Sequence, residues 1–300
     1  MPTQVVKPTV RAEFHGDVSG QVAIGDNNLQ INQMFGGVVY HLAGGQTAVP
    51  RPIPTPVYLR PRRFPGLLDR QVERQTAQAT TQKALPVQFY SDSGWGKTSL
   101  LRYLAYHLDD SLYPDGIVYQ RVAGMGLDDI RQVLFDLFYE ADIPIKPLPG
   151  QITRYLQQKQ ALILLDDITL PREDMEELMD TAPRCTFLFA SPENTIWHEG
   201  KAIQVKGLPE EEALQLLEDE LSRPLSAEEA QAARIIVGAI QGNPLKLRQL
   251  AALMRDKDLS LVRIAAGLTT PENATALDDQ KLTAFAVRSL PKDQRKVALG

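Results

Sequence analysis

The chain has 300 residues, 43% of them hydrophobic, and carries 32 Lys and Arg against 37 Asp and Glu, a formal net charge of −5. That length and apolar content suffice for about two domains, while the acidic balance excludes a chain-wide basic surface for a nucleic-acid backbone. No run of about 18 apolar residues offers a membrane-spanning helix, and the N-terminus lacks the layout of a secretory signal, so a cytoplasmic location with no nucleic-acid and no membrane partner is expected. A single cysteine, Cys185, at the head of the apolar run Cys185–Ala190, excludes a disulfide framework and any multi-cysteine metal site.

Residues 1–49 form a low-complexity segment rich in Gly, Asn, Gln and Val. Two short alternating arms, with Val22 and Ile24 on one and Leu29 and Ile31 on the other, flank a turn at Gly25-Asp26-Asn27-Asn28. So small a piece cannot bury enough area to fold alone, but stacked copies could pair every backbone group and ladder their Asn and Gln side chains. The stretch 15–35 resembles RHIM-like amyloid signalling motifs at Ile24, Gly25 and Asn28, with Ala23 where such motifs usually carry Gln. That resemblance implies an effector protein with a matching motif; a tail without fixed structure or a surface hairpin is the other reading of the same composition.

Residues 50–65, with six prolines and four arginines, read as an extended linker. A helix is expected from Phe64, with Leu67, Leu68 and Val72 on one side. From 66 to 206 the pattern alternates strand and helix, which predicts a mostly parallel sheet covered on both faces. Strands are expected near Gly116–Val122, Ala161–Leu165, Thr186–Ala190 and Ala202–Val205. Helices are expected near Lys97–Asp109, Leu127–Ala141, Ile152–Gln160 and Arg172–Thr181. Residues 207–280 read as helices only.

The most informative stretch is Leu85–Tyr106, where an apolar strand gives way to Ser91-Asp92-Ser93-Gly94-Trp95-Gly96-Lys97-Thr98 and then to a helix-period pattern. It fits the phosphate-loop motif with Ser91 at the first glycine. Backbone N–H groups from Ser93 to Ser99, backed by a helix N-terminus, would receive anionic oxygens. Lys97 would face the terminal phosphates of ATP or ADP, and the Thr98 hydroxyl would ligate Mg²⁺. Ala161–Leu165 is a buried strand ending in Asp166 and Asp167, delivered to the same edge of the sheet. Asp166 is the candidate for holding Mg²⁺, and Asp167 the candidate for orienting the attacking water.

With these motifs in order, the region from about residue 58 onward resembles the NB-ARC nucleotide-binding module of STAND-class P-loop NTPases found in NLR-type receptors. Leu67–Glu73 is similar to the family's hhGRxxE motif, with Asp69 in place of the glycine. Gly207–Ala213 resembles the start of its helical ARC subdomain, and Gly242-Asn243-Pro244-Leu245 its GxP motif. The resemblance implies a P-loop α/β fold followed by a helical subdomain, with Leu68, Arg70, Pro244 and Leu245 bordering the nucleotide. It implies a start of a winged helix at 281–300, with the family's MHD-type histidine falling beyond Gly300, as in a fragment of a longer receptor. Where relatives carry a γ-phosphate-sensing arginine, this chain has Ser191-Pro192, so at most a slow Mg²⁺-dependent ATPase is expected. The implied activity is a regulatory switch that self-associates on activation; the alternatives are a remodelling ATPase of the AAA+ sort with rapid turnover, or a STAND-class transcription regulator.

Overall fold

The computed structural model describes residues 49–64, 66–142, 145–198, 200–257 and 260–268. The motif expected at 15–35 and the winged-helix start expected at 281–300 lie outside them. In chain order the elements are β1 (Arg51–Pro52), β2 (Val57–Leu59), α1 (Gln71–Thr81), β3 (Val87–Tyr90), α2 (Lys97–Leu104), β4 (Gly116–Arg121) and α3 (Leu127–Phe138). They continue with β5 (Tyr139–Glu140), α4 (Pro149–Leu156), β6 (Ala161–Asp166), α5 (Arg172–Thr181), β7 (Thr186–Ser191) and β8 (Lys201–Gln204). Four helices follow: α6 (Glu210–Leu221), α7 (Ala227–Ala239), α8 (Pro244–Lys257) and α9 (Leu261–Leu268).

Six strands form one parallel sheet in the order β2-β4-β6-β7-β3-β8. The central strands are apolar on both faces because both faces are covered. In β6, Ala161, Ile163 and Leu165 pack with residues of α3, α4 and α5, whereas Leu162 and Leu164 pack with residues of α1, α2 and β3. The period of two along a strand assigns those faces. Leaving β3, the chain crosses over β7 and β6 to reach β4, so the order reverses beside β3, and a crevice opens there at the carboxyl ends of the strands.

The helices from α6 to α9 enclose a separate core of Leu217, Ile236, Leu247, Leu250, Leu261 and neighbours. Ser226 starts α7 with a reciprocal cap: its Oγ accepts the Glu229 N–H at 3.2 Å while a Glu229 carboxylate oxygen accepts the Ser226 N–H at 2.9 Å. Leu68, ahead of α1, packs on this second core and so joins it to the sheet.

Several boundaries differ from the sequence expectation. The presumed linker at 50–65 contributes β2, which pairs in parallel with β4, and β1, which pairs antiparallel with β5. Proline is tolerated there because an outermost strand needs donors on one side only. The φ of Gly116 is +113°, and a Cβ there would lie 2.0 Å from the Val57 carbonyl oxygen, so glycine is what lets β2 dock. α1 starts at Gln71, not Phe64, because Asp69 and Arg70 both take left-handed backbone; Val72 is 73% exposed instead of facing the core. α2 ends at Leu104, short of Asp109, and α3 at Phe138, where β5 begins. α4 spans Pro149–Leu156, not Ile152–Gln160, and α9 falls within the stretch 207–280 read as helices, though its bounds were not expected there.

Candidate functional site: the phosphate-loop cleft

The loop between β3 and α2 lies at the crevice. Gly94 and Gly96 have φ of +85° and +95°, conformations that L side chains rarely adopt. Gly96 caps α2 with no side chain accepting a bond, so the first N–H groups of the helix are left for an anion. Lys97 Nζ donates to the carbonyls of Ser91 at 2.6 Å and Asp92 at 2.8 Å, closing the loop onto its own start. Burial lowers the Lys97 pKa, and the carboxylates of Asp167, Asp166 and Asp92 pull it back up.

β6 brings the acids to the same place. Asp166 is 1% exposed. Its Oδ1 accepts from the Thr98 hydroxyl at 3.0 Å and from the Asp167 N–H at 3.2 Å, and its Oδ2 from the Tyr119 hydroxyl at 2.7 Å. Burial pushes the Asp166 carboxyl up, opposed by the Tyr119 and Thr98 bonds. Tyr119 is pushed up as well, by burial first and by its bond to Asp166 next, so it stays a donor. Asp167 sits in left-handed backbone with φ of +59°, and its Oδ2 accepts from Arg121 Nε at 2.7 Å.

Lys97, Thr98 and Asp167 border a cleft of about 500 Å³ that α8 closes on one side, while Asp166, Tyr119 and Arg121 line a recess that shares Thr98 and Asp167 with it. The backbone N–H of Leu245 donates to the Gly94 carbonyl at 3.2 Å, and a Cβ on Gly94 would come within 2.9 Å of Leu245 Cβ. Asn243, buried, accepts from the N–H groups of Leu245 and Lys246 at 3.0 and 3.2 Å and so fixes the start of α8. Beside it lies a second, mostly apolar recess whose lining includes Leu68, Ser99, Leu208, Leu216 and Pro244. Ser93, Gly94, Gly96, Lys97, Thr98, Ser99, Asp167, Pro244 and Leu245 therefore line the cleft, and Leu68 and Arg70 line the apolar recess, the two sharing Gly96, Ser99, Pro244 and Arg248.

Arg70, at the apolar recess, is also tied into the protein, while Trp95 and Trp197 lie elsewhere. Arg70 is 3% exposed and committed to protein atoms: it pairs with Glu73 at 3.1 Å and donates to the carbonyls of Trp95 at 3.1 Å and Lys206 at 2.6 Å. It ties the phosphate loop to the junction between the sheet and the helical unit. Trp95 borders a separate cleft on the β8 side of the loop. Trp197 is 63% exposed and sits below the phosphate end, its neighbours Thr195 and Ile196 donating to Gln88 Oε1 in the middle of β3. Ser191, next to Pro192 where the resemblance expects an arginine, receives a bond from Gln88 Nε2 at 2.8 Å and donates to the Glu193 carbonyl at 2.8 Å.

Three residues escaped the sequence reading. Tyr119 and Arg121 share one face of β4, a signal that strand alternation carries once β4 is placed beside β6. Arg248, on α8, lines the cleft and pairs with Glu220 at 3.0 Å; nothing in its local sequence distinguishes it from a solvated helix residue.

Among the described residues no group of three or more His, Cys, Asp or Glu could hold a metal ion. The donor set of one hydroxyl and one carboxylate suits Mg²⁺, which keeps waters and takes its remaining ligands from phosphates. Among the described residues no helix is long and apolar enough to cross a membrane.

A parallel sheet in this strand order, a glycine-bearing loop opening a helix after β3, and a strand-end acid meeting the loop threonine define the P-loop NTPase fold. No family profile and no curated protein matches the chain. Among solved structures, 205 chains match. A mutant of Thermotoga maritima RuvB is 14% identical with a TM-score of 0.45, over 81% of this chain and 86% of its own. The Walker-type ATPase of Pyrococcus abyssi is 10% identical with a TM-score of 0.44, over 77% of this chain and 92% of its own. A Pyrococcus horikoshii signal-transduction ATPase with numerous domains (STAND), bearing a tetratricopeptide repeat sensor, is 16% identical with a TM-score of 0.38, over 82% of this chain and 36% of its own.

Proposed function

We propose that this chain is an ATP/ADP-binding regulatory switch of a STAND-class, NLR-like signalling protein, with an NB-ARC-type arrangement of sheet and helical unit. Lys97 and the N–H groups from Ser93 to Ser99 bind the phosphates, Thr98 and Asp166 hold Mg²⁺, and Leu68, Pro244 and Leu245 flank the base. Mg²⁺ bound there would neutralise phosphate charge. The observation that carries this reading is the bond from the Leu245 N–H to the Gly94 carbonyl. A nucleotide in the cleft touches both units, so ATP and ADP can favour different placements of α8 and shift a population between two forms.

Asp167, which would orient the attacking water, is engaged by Arg121, and Pro192, where the resemblance expects the sensing arginine, supplies no charge to the terminal phosphate. Both observations favour a slow ATPase over a turnover motor. Nucleotide exchange then controls self-association, which gathers the segments 1–49 and presents them to an effector protein with a matching motif. The test is to identify the nucleotide released when the purified protein is denatured, with Lys97→Ala alongside. ADP or ATP at near one per chain in the wild type, and none in the variant, is the expected result. Turnover of many ATP per minute would overturn the switch in favour of a remodelling ATPase.

A further inference from the structure

Tyr119 is a donor at the phosphate end that belongs to none of the motifs read from the sequence. β4 runs parallel to β6 with Arg121 opposite Asp166 and Tyr119 opposite Leu164, so Tyr119 lies two residue pairs below the acid on the same strand face as Arg121. On this face of β4 the order is Ile117, Tyr119, Arg121; Ile117 is fully buried in the core under α2, and Tyr119 is partly buried against the same core. The ring is thereby held by packing, while its hydroxyl ends on Asp166 Oδ2 at 2.7 Å. The other carboxylate oxygen faces the Thr98 hydroxyl at 3.0 Å. Two hydroxyls on opposite oxygens fix the plane of a buried carboxylate.

The chemistry of the donor also matters. A lysine or arginine at position 119 would pair with Asp166 and cancel the charge that attracts a cation. A phenol orients the carboxylate and leaves its charge intact. Arg121, two residues further along, pairs with Asp167 instead. The strand next to β6 thus treats the two acids oppositely.

We infer that Tyr119 is a positioning residue for a divalent cation: it holds Asp166 so that Oδ1 and Thr98 Oγ1 stay paired as hard oxygen donors for the metal of a metal–nucleoside triphosphate. The inference rests on the nucleotide reading above. Partners that orient a metal-binding side chain typically change metal affinity by about 10–100-fold when removed.

The experiment is calorimetric titration of ATP into the full chain, in Mg²⁺ and in EDTA, for the wild type and Tyr119→Phe. Phenylalanine retains the packed ring, and thermal unfolding of both proteins verifies that the fold is kept. The expected result is that Mg²⁺ tightens ATP binding about tenfold less in the variant, with the EDTA affinity unchanged. Titrating Mn²⁺ into the ATP-bound proteins and following its paramagnetic resonance should show the same weakening. An unchanged Mg²⁺ advantage overturns the inference while leaving nucleotide binding in place, as does an equal loss in Mg²⁺ and EDTA, which would mark a merely structural ring. A wild type that binds ATP in neither condition overturns the nucleotide reading itself, and this inference with it.

Discussion

The phosphate wall of the cleft comes from one continuous stretch, Ser91 to Ser99, backed by the acids at the end of a buried strand. The opposite wall is assembled from positions far apart in sequence: Pro244, Leu245 and Arg248 at the start of α8, and Leu68, which packs on the helical core. The first wall exists whenever the sheet is folded, because its geometry follows from local backbone conformation and strand register. The second exists only while Arg70 and the start of α8 keep the two units docked. A device that responds to its ligand by rearranging has its weak point in the second wall and its binding strength in the first.

Removing charge from the first wall gives the largest effect. Lys97→Ala should weaken ATP binding by about 2–5 kcal/mol, the scale for truncating one partner of a buried charged contact, while leaving the unfolding midpoint nearly unchanged. Titration calorimetry paired with denaturant unfolding checks both halves. A large loss of stability would mean that the lysine chiefly holds the loop together.

Arg70 tests the junction. Its guanidinium is 4% exposed and its partner Glu73 15% exposed. Arg70→Ala strands Glu73 and the Trp95 and Lys206 carbonyls, so stability should fall by about 3 kcal/mol. Unfolding followed by Trp95 emission and by far-ultraviolet dichroism should then cease to coincide, since the two cores lose their tie. Coincident transitions would show that other contacts dock the units.

A matched pair of glycine substitutions separates loop strain from docking. Gly94→Ala and Gly96→Ala each place a Cβ on left-handed backbone, costing about 1 kcal/mol. At Gly96 nothing lies within 4 Å of the added carbon, whereas at Gly94 it meets Leu245 and Asn243. Only Gly94→Ala should therefore speed nucleotide release, measured with a fluorescent ADP analogue by stopped flow. Equal acceleration in both variants would assign the effect to the loop alone.

The smallest effect is one of acidity. Glu229 is held down to about 2 by its bonds to Arg223 and to the Ser226 N–H, so its contribution is present above the unfolded value near 4.5 and is lost as pH falls toward 2. Asp166 is shifted the other way, so the contribution of its protonated form is present below the ordinary carboxylate value and disappears as pH rises through its folded value. Glu229→Gln should cost under about 1 kcal/mol near neutrality, because the pair is largely solvated. The gap to wild type in urea midpoint should narrow between neutral and acid pH.

The contrast between the walls also explains what could be read in the sequence. Strand β3, its loop and the start of α2 were legible because glycine, lysine and threonine occur at spacings that backbone geometry demands. Helix α5 was legible to the residue, since Pro171 and the following acids mark its start. β2 was hidden because three residues between prolines carry too little pattern to distinguish an outer strand from a spacer. The left-handed Asp69 stands where the NB-ARC resemblance expects glycine, in a backbone conformation that aspartate tolerates. Arg70 lines the apolar recess as the resemblance expects, but the partners that tie it to Trp95 and Lys206 lie 25 and 136 positions away, and nothing local announces them. Tyr119 needed the register of two strands, which composition does not supply.

The attachment of β2 has a mechanical consequence. From Arg51 the chain is stitched to β5 through Arg51–Pro52 and to β4 through Val57–Leu59. A pull on the chain ahead of β2 would load β4 directly, and β4 carries Tyr119 and Arg121. Whatever grips the front of the chain thereby pulls on the strand whose side chains hold both strand-end acids.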